Sequence, residues 1–391
     1  MASGDGKIWV VKGQGRKLMM KTEAVVMFGA LMAACAFGDQ AQIAKWDPNM
    51  AQENAVVTNG VKWIDGKFLP IEGRVFLDVD HYYDRLPKNV TTNVNAGVRG
   101  MKHHTSGMQF RFRTNSGRLV FKWVPFNQGL SMDHMPSTGV SGIDVYRYDE
   151  AAGAWCFVRT GRIHDGKKGA TLDMKWTPGE ACLVNLPLYN GIRSFSLGVE
   201  PKATVEALGP RASGVEKPVV FYGTSITHGG CASRPGLAFP SIVGRELDVP
   251  IVNLGFSGSG KMEFEMSEHL AAIDASCYVL DCLWNMNDKL VEANYEPFIR
   301  SLRAKRPGVP IVMAEACDVF CKGPAVKDQF IRKLYERLVS EGWKDLVYLP
   351  KDGMYVGDLE GTVDGCHPND WGMMSLSKAF GRAVREALKL R

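Results

Sequence analysis

Two periods divide the chain. From about residue 62 to 199, apolar and polar residues alternate in short runs: "MQFRFRT" (108–114), "GRLVFKWVPF" (117–126), "GIDVYRYDE" (142–150) and "AWCFVRTG" (154–161), separated by Gly, Asn, Ser or Pro. Alternation puts one face of a strand in a core and the other toward solvent. The segment "ACLVNLPLYNGIRSFSLGVE" (181–200) adds two strands around Asn190 and Gly191. No long helical pattern interrupts them. The region is expected to be an all-β sandwich of jelly-roll type.

After residue 200 the pattern changes. "ATVEALGPRASGVEKP" reads as a linker or a last edge strand. Apolar runs then follow at 219–222, 251–254, 278–283, 311–314 and 346–349, with helical segments at 237–247, 265–273, 288–305, 326–341 and 370–390. Runs apolar at every position are buried on both faces. Alternating with helices, they predict a parallel sheet in a flavodoxin-like, three-layer α/β/α domain with five strands. In such a sheet the ligand site lies beyond the carboxyl ends of the strands. The expected division is residues 37–210 for the β-sandwich and 211–391 for the α/β domain.

The 391 residues are 45% hydrophobic and 23% charged, the composition of a folded globular protein. Arg16, Lys17 and Lys21 precede the uncharged run "AVVMFGALMAACAFG" (24–38). The run is too short to cross a membrane and has the form of a signal-peptide h-region, with Ala34-Cys35-Ala36 as the cleavage site. Residues 1–36 are therefore expected to be a signal peptide with an upstream extension. The chain is expected in the periplasm, at the cell surface or in the medium; the competing reading is a buried N-terminal helix. Residues 1–36 carry +3 of the formal charge of +5, which leaves +2. That is too little for a nucleic-acid or anionic-membrane footprint. Beyond Cys35 there are eight cysteines. Cys317 and Cys321 stand close in sequence, but spacing does not settle pairing. No C-x-x-C and no histidine at ligand spacing from a cysteine argues for a metal.

The chemistry-bearing residues fall just after the apolar runs. The first run ends in Gly223-Thr224-Ser225, the second in "NLGFSGSG" with Gly258, and the third in "LDCLWNMN" with Asn285. The last is followed by "DGCHPNDWG", with Asp364 and His367 three apart. Each has a bland reading: Ser225 as a helix cap, Gly258 as a turn, Asn285 as a loop residue, His367-Pro368 as a helix start. Together they are the inventory for acyl transfer. Ser225 needs a base, His367 can be that base, and Asp364 can orient it. The N–H groups of Ser225 and Gly258 and the Asn285 amide can receive an oxyanion.

These blocks resemble the SGNH (GDSL-type) hydrolases, matched in order by Gly223-Thr224-Ser225, Ser257-Gly258, Trp284-Asn285 and Asp364-x-x-His367-Pro368. Thr224 stands where the GDSL name has Asp. The string "GTSITHGGCASRPG" is similar to a subgroup with an N-terminal β domain. That domain's G-x-D-L-Y motif stands here as Gly142-Ile143-Asp144-Val145-Tyr146, with Val in place of Leu. The resemblance implies a carboxylic ester hydrolase with Ser225, Asp364 and His367 catalytic, and no metal or organic cofactor. Bacterial members with the β domain look like carbohydrate esterases, so acetylated poly- or oligosaccharide, xylan first, is the expected substrate. Trp284, Trp371, His134 and Tyr189 are candidate substrate contacts. The loops 132–142 and 186–191 are expected to reach the cleft. Lysophospholipase or thioesterase activity is the alternative within the enzymes, and a non-catalytic carbohydrate-binding relative is the alternative outside them. "GFSGSGK" (255–261) lacks the spacing of a phosphate loop.

Overall fold

The computed structural model describes residues 55–317, 325–354 and 360–390, which fall in one compact body. The segment read as a signal peptide lies outside these residues, as does Cys321. Among the described residues no helix is long and apolar enough to cross a membrane. Cys156, Cys182, Cys231, Cys277, Cys282 and Cys366 are unpaired thiols.

The first half holds strands β1 (Val56–Thr58), β2 (Val61–Asp65), β3 (Ile71–Glu72), β4 (Gln109–Thr114), β5 (Arg118–Pro125), β6 (Ile143–Asp149), β7 (Ala154–Gly161), β8 (Ala170–Lys175), β9 (Ala181–Asn185), β10 (Ile192–Val199) and β11 (Val205–Ala207). They form two antiparallel sheets, in the orders β1-β2-β10-β5-β8 and β11-β4-β9-β6-β7, with β3 on β4. The sheets face one another as a sandwich. Ile64, Phe121, Trp123 and Phe195 of one pack with Phe110, Phe112, Val145 and Val184 of the other. Strand β8 is not among the sequence expectations. Within the segment 203–218, read as a linker or edge, Val205–Ala207 form the edge strand β11.

The second half holds β12 (Val219–Gly223), β13 (Ile251–Gly255), β14 (Cys277–Asp281), β15 (Ile311–Ala314) and β16 (Leu346–Leu349), all parallel, in the order β13-β12-β14-β15-β16. The α-helices among the described residues are α1 (Ala96–Met101), α2 (Ser137–Val140), α3 (Ser225–His228), α4 (Phe239–Glu246), α5 (Phe264–Ala271), α6 (Asp288–Lys305), α7 (Val326–Ser340) and α8 (Asp370–Ala387). Alternate residues of β12 serve opposite faces of the sheet. Val219 and Phe221 pack with Ile242 of α4 and Phe380 of α8. Val220 and Tyr222 pack with Leu270 of α5, Phe298 of α6 and Leu334 of α7. This is the doubly wound architecture expected, and its strand order reverses at β12, next to β14. The apolar run expected as strand 278–283 leaves the sheet at Asp281. Cys282 and Leu283 stay buried but enter a short 3-10 turn, Leu283–Asn285.

The motif Gly142 to Tyr146 shows period-two logic. Ile143 and Val145 point into the sandwich core. Asp144 and Tyr146 point the other way and are also buried, because the second half covers that face. Asp144 accepts from the Gly236 N–H at 2.8 Å, Arg234 at 3.0 Å and Asn185 at 2.8 Å. Tyr146 meets Arg234 through its hydroxyl and Arg245 over its ring. A carboxylate so buried needs these partners, so the motif fastens the sandwich to the loop that follows α3.

Candidate active site

Strand β12 delivers the chain to a four-residue helix with Ser225 as its first residue. The helix cap is Thr224, whose side chain accepts from the Ile226 N–H at 3.2 Å. Capping tolerates Thr in place of Asp, so Thr224 fills the position where the GDSL name has Asp and leaves the Ser225 hydroxyl uncommitted. Gly229 ends the helix at φ 106°, a left-handed conformation that side chains resist.

The Ser225 Oγ lies 2.9 Å from His367 Nε2. On the far side of the ring, Nδ1 lies 2.7 Å from Asp364 Oδ2. The other oxygen of Asp364 accepts the backbone N–H groups of His367 at 2.7 Å and Cys366 at 3.0 Å. Burial works to raise the Asp364 carboxyl, but these hydrogen bonds outweigh it and hold the group below its ordinary value. An ionised Asp364 keeps the proton of the neutral ring on Nδ1, which leaves the Nε2 lone pair facing Ser225.

Gly258 sits at φ 64° in the loop after β13. The Asn285 amide reaches the same loop and donates to the Phe256 carbonyl at 3.2 Å. A primary amide has two N–H groups, so one remains for a ligand. The loop is also tied to β12, the Phe256 N–H donating to the Gly223 carbonyl at 3.0 Å. The last block is tied in through the Cys231 N–H, 3.0 Å from the Pro368 carbonyl.

The four candidate contacts fare differently. His134 stands edge-on to His367 with ring centroids 5.7 Å apart. Trp371, at the start of α8, is 60% exposed. Trp284 is half-buried, its indole N–H on the Cys317 sulfur at 3.2 Å. Tyr189 is already employed: its hydroxyl donates to the Ser225 carbonyl at 3.1 Å, and its ring stacks on His228 at 4.1 Å. Of the two loops expected at the cleft, 132–142 packs on the loop after α3, with the Thr138 hydroxyl on the Ser233 carbonyl at 2.6 Å. The other, 186–191, carries Tyr189.

Sequence reasoning did not find the groups that hold the turn carrying Ser225. The Thr227 hydroxyl donates to Asp281 at 2.7 Å, and the Asn253 amide donates to the Thr227 carbonyl at 2.7 Å. From the sandwich half, the Ser106 hydroxyl donates to the His228 carbonyl at 2.7 Å. Beneath the turn, the buried Arg85 donates to the carbonyls of Asn253, Gly255 and Met101 at 2.9–3.0 Å and lies 3.4 Å from His228 Nε2. No carboxylate among the described residues pairs with this guanidinium; burial pulls its pKa down to about 9. His104 Nδ1 lies 3.3 Å from His228 Nε2. Burial, then the Arg85 charge, pulls His104 down to about 3 and His228 well below the usual range. Burial raises Asp281 to about 7 against its bond from Thr227. The one local hint was the position of His228, three residues after Ser225 and so one helical turn away.

Comparison with known proteins agrees with this architecture. Residues 216–385 match the GDSL-like lipase/acylhydrolase family, and residues 61–205 match the N-terminus of SGNH-hydrolase-type esterases. A GDSL-like lipase structure from Bacteroides ovatus is 28% identical, with a TM-score of 0.73 over 85% of this chain and 99% of that one. The salicylyl-acyltransferase SsfX3 of a tetracycline biosynthetic pathway is 19% identical, with a TM-score of 0.68 over 86% and 100%. A family two carbohydrate esterase from Clostridium thermocellum, in complex with cellohexaose, is 12% identical, with a TM-score of 0.54 over 73% and 93%. The latter two show the shared fold. Among curated proteins nothing matches.

Proposed function

Residues 216–385 belong to the GDSL-like lipase/acylhydrolase family and stand behind the N-terminal domain of SGNH-type esterases, and on that premise we propose that the protein is an exported serine esterase that removes acetyl groups from plant polysaccharide, xylan first. The observation that carries the reading is the relay Asp364–His367–Ser225, with steps of 2.7 and 2.9 Å. Both lengths are within hydrogen-bond reach, as a nucleophile and its base require.

Ser225 Oγ attacks the ester carbonyl as His367 Nε2 takes its proton. Asp364 stabilises the resulting imidazolium. The Ser225 and Gly258 N–H groups and the second N–H of Asn285 receive the oxyanion, a contact that strengthens in the transition state. Collapse expels the sugar hydroxyl, protonated by His367. Water, deprotonated by the same ring, then releases acetate. The substrate class follows the fold's carbohydrate-esterase relatives, and the exposed Trp371 offers a flat apolar face of the kind a sugar ring covers.

The test is acetate release from acetylated xylo-oligosaccharides by the mature protein and its Ser225→Ala variant. Release by the first alone supports the reading. Release by both overturns the role of Ser225. Release by neither, with turnover of long-chain lipid esters or thioesters instead, moves the substrate to those classes.

A further inference from the structure

Three residues far apart in sequence meet at the base of the relay. His134 comes from the loop between β5 and β6, Cys231 from the loop after α3, and His367 from the loop before α8. One donor atom from each lies within 4.8 Å of the other two. Neither the His134 ring nor the Cys231 sulfur has a hydrogen-bond partner among the described residues. His367 Nδ1 is hydrogen-bonded to Asp364 and Nε2 faces Ser225; a neutral imidazole has a single lone pair, so an ion on either ring nitrogen takes the pair that would accept the Ser225 proton.

We propose that this cluster is an inhibitory site for zinc or a similar borderline-soft divalent ion. The inference concerns regulation of the same site and rests on the esterase reading for its effect, though not for its binding. Two imidazoles and a thiolate are ligands such ions prefer, with water free to take the fourth place. In a tetrahedral zinc site, donor atoms stand roughly 3.3–3.6 Å apart, so the cluster has to close by about an ångström. His134 is exposed and on a loop, and can make that movement. The ion binds Cys231 as a thiolate, so the thiol proton leaves to solvent as the metal–sulfur bond forms. Once bound, it occupies the lone pair that would accept the Ser225 proton, and turnover stops until a chelator removes it.

A second group of donors, His81, Asp84 and His103, lies within the same mutual distance elsewhere on the molecule. It holds no sulfur, which separates the two sites experimentally. The full chain, stripped of metal, is titrated with cobalt(II) and followed for the thiolate-to-cobalt charge-transfer band, then with zinc chloride and followed for ester hydrolysis. The wild type is expected to show the band and a zinc inhibition reversed by EDTA. Cys231→Ser is expected to keep hydrolysing ester, to lose the band, and to need about tenfold or more zinc for the same inhibition, the scale on which a lost metal partner is felt. His134→Ala, at an exposed position that puts folding at little risk, is expected to weaken zinc inhibition as well. A band that is absent, or that survives in Cys231→Ser, overturns the proposal. So does equal zinc inhibition in the wild type and both variants. If the protein hydrolyses no ester at all, the esterase reading fails, and the cobalt band with its loss in Cys231→Ser still decides the site.

Discussion

The two sides of the relay are built in opposite ways. The turn carrying Ser225 is buried, Ser225 itself being 7% exposed, and it is held by partners remote in sequence. Asp281 and Asn253 come from neighbouring strands, and Tyr189 and Ser106 come from the other half of the molecule. The loop carrying Asp364 and His367 lies nearer the surface and holds itself. Its Val363 N–H bonds the His367 carbonyl at 3.0 Å, the Asn369 N–H bonds the Gly361 carbonyl at 2.9 Å, and Asp364 accepts two backbone N–H groups within three residues. A nucleophile at a strand end has to be positioned to a fraction of an ångström, and buried long-range contacts do that. The base loop is set mainly by short-range bonds. Chemistry and stability should therefore separate on the base side and travel together on the nucleophile side.

The sharpest break is expected at the base. His367→Ala or Asp364→Asn should lower kcat by about 10⁴-fold while leaving Tm nearly unmoved. A large fall in Tm, measured by calorimetry, would mean that the loop is not self-contained. On the other side, Asp144→Ala removes the buried carboxylate that anchors Arg234 and the Gly236 N–H. It should cost about 3 kcal/mol or more in urea unfolding and reduce activity with it. A stable but inactive Asp144→Ala protein would contradict the coupling.

A third effect is in pH. His104 and His228 are held neutral beside the nucleophile turn, while the unfolded chain takes up their protons below about pH 6.5. Stability from these two groups is thus full above that pH and is lost as pH falls from about 6.5 toward about 3 for His104, with a slope of at most about 1.4 kcal/mol per pH unit for each group. Asp281 acts the other way, since its proton is held in the fold up to about pH 7 and stability declines as pH rises from about 4 toward 7. Two groups against one make the net stability rise with pH between about 4 and 6.5. Thermal unfolding across that range, with His104→Gln showing the shallower slope, measures it; an unchanged slope in the variant would remove His104 from the account. The smallest effect is expected for Tyr189→Phe. It loses the bond to the Ser225 carbonyl and should destabilise the protein by about 1 kcal/mol, with kcat reduced a few-fold. A loss of activity as large as that at His367 would give the hydroxyl a part in the chemistry itself.

The same contrast explains what could be read before the structure. Apolar runs and helical periods report which faces are buried, and burial here is local enough in sequence to place the five parallel strands, the helices between them and the residues at the strand ends. Asp364 and His367 were legible as a pair because their contact spans three residues. Burial does not report the partner, however. Cys282 and Leu283 continue a buried run past the end of β14 because the turn that follows is as dry as the strand. Strand β8 alternates over six residues as β4 does, but only Leu172 and Met174 of it are buried, so its apolar face is thin. Asp144 could be seen as part of a motif, while its bond to the loop at residues 234–236 could not. Ser225 was equally consistent with cap and nucleophile until Thr224 was found to hold the cap. The sequence by itself determined the fold class, the order of the polar blocks at the strand ends and the close pairing of Asp364 with His367, because those rest on contacts between near neighbours and on side-chain periodicity. Only the tertiary structure decided what clamps the turn carrying Ser225 and which donors gather around His367, because those contacts join residues from 26 to more than a hundred positions apart, whose meeting is set by how three sheets and the helices around them pack.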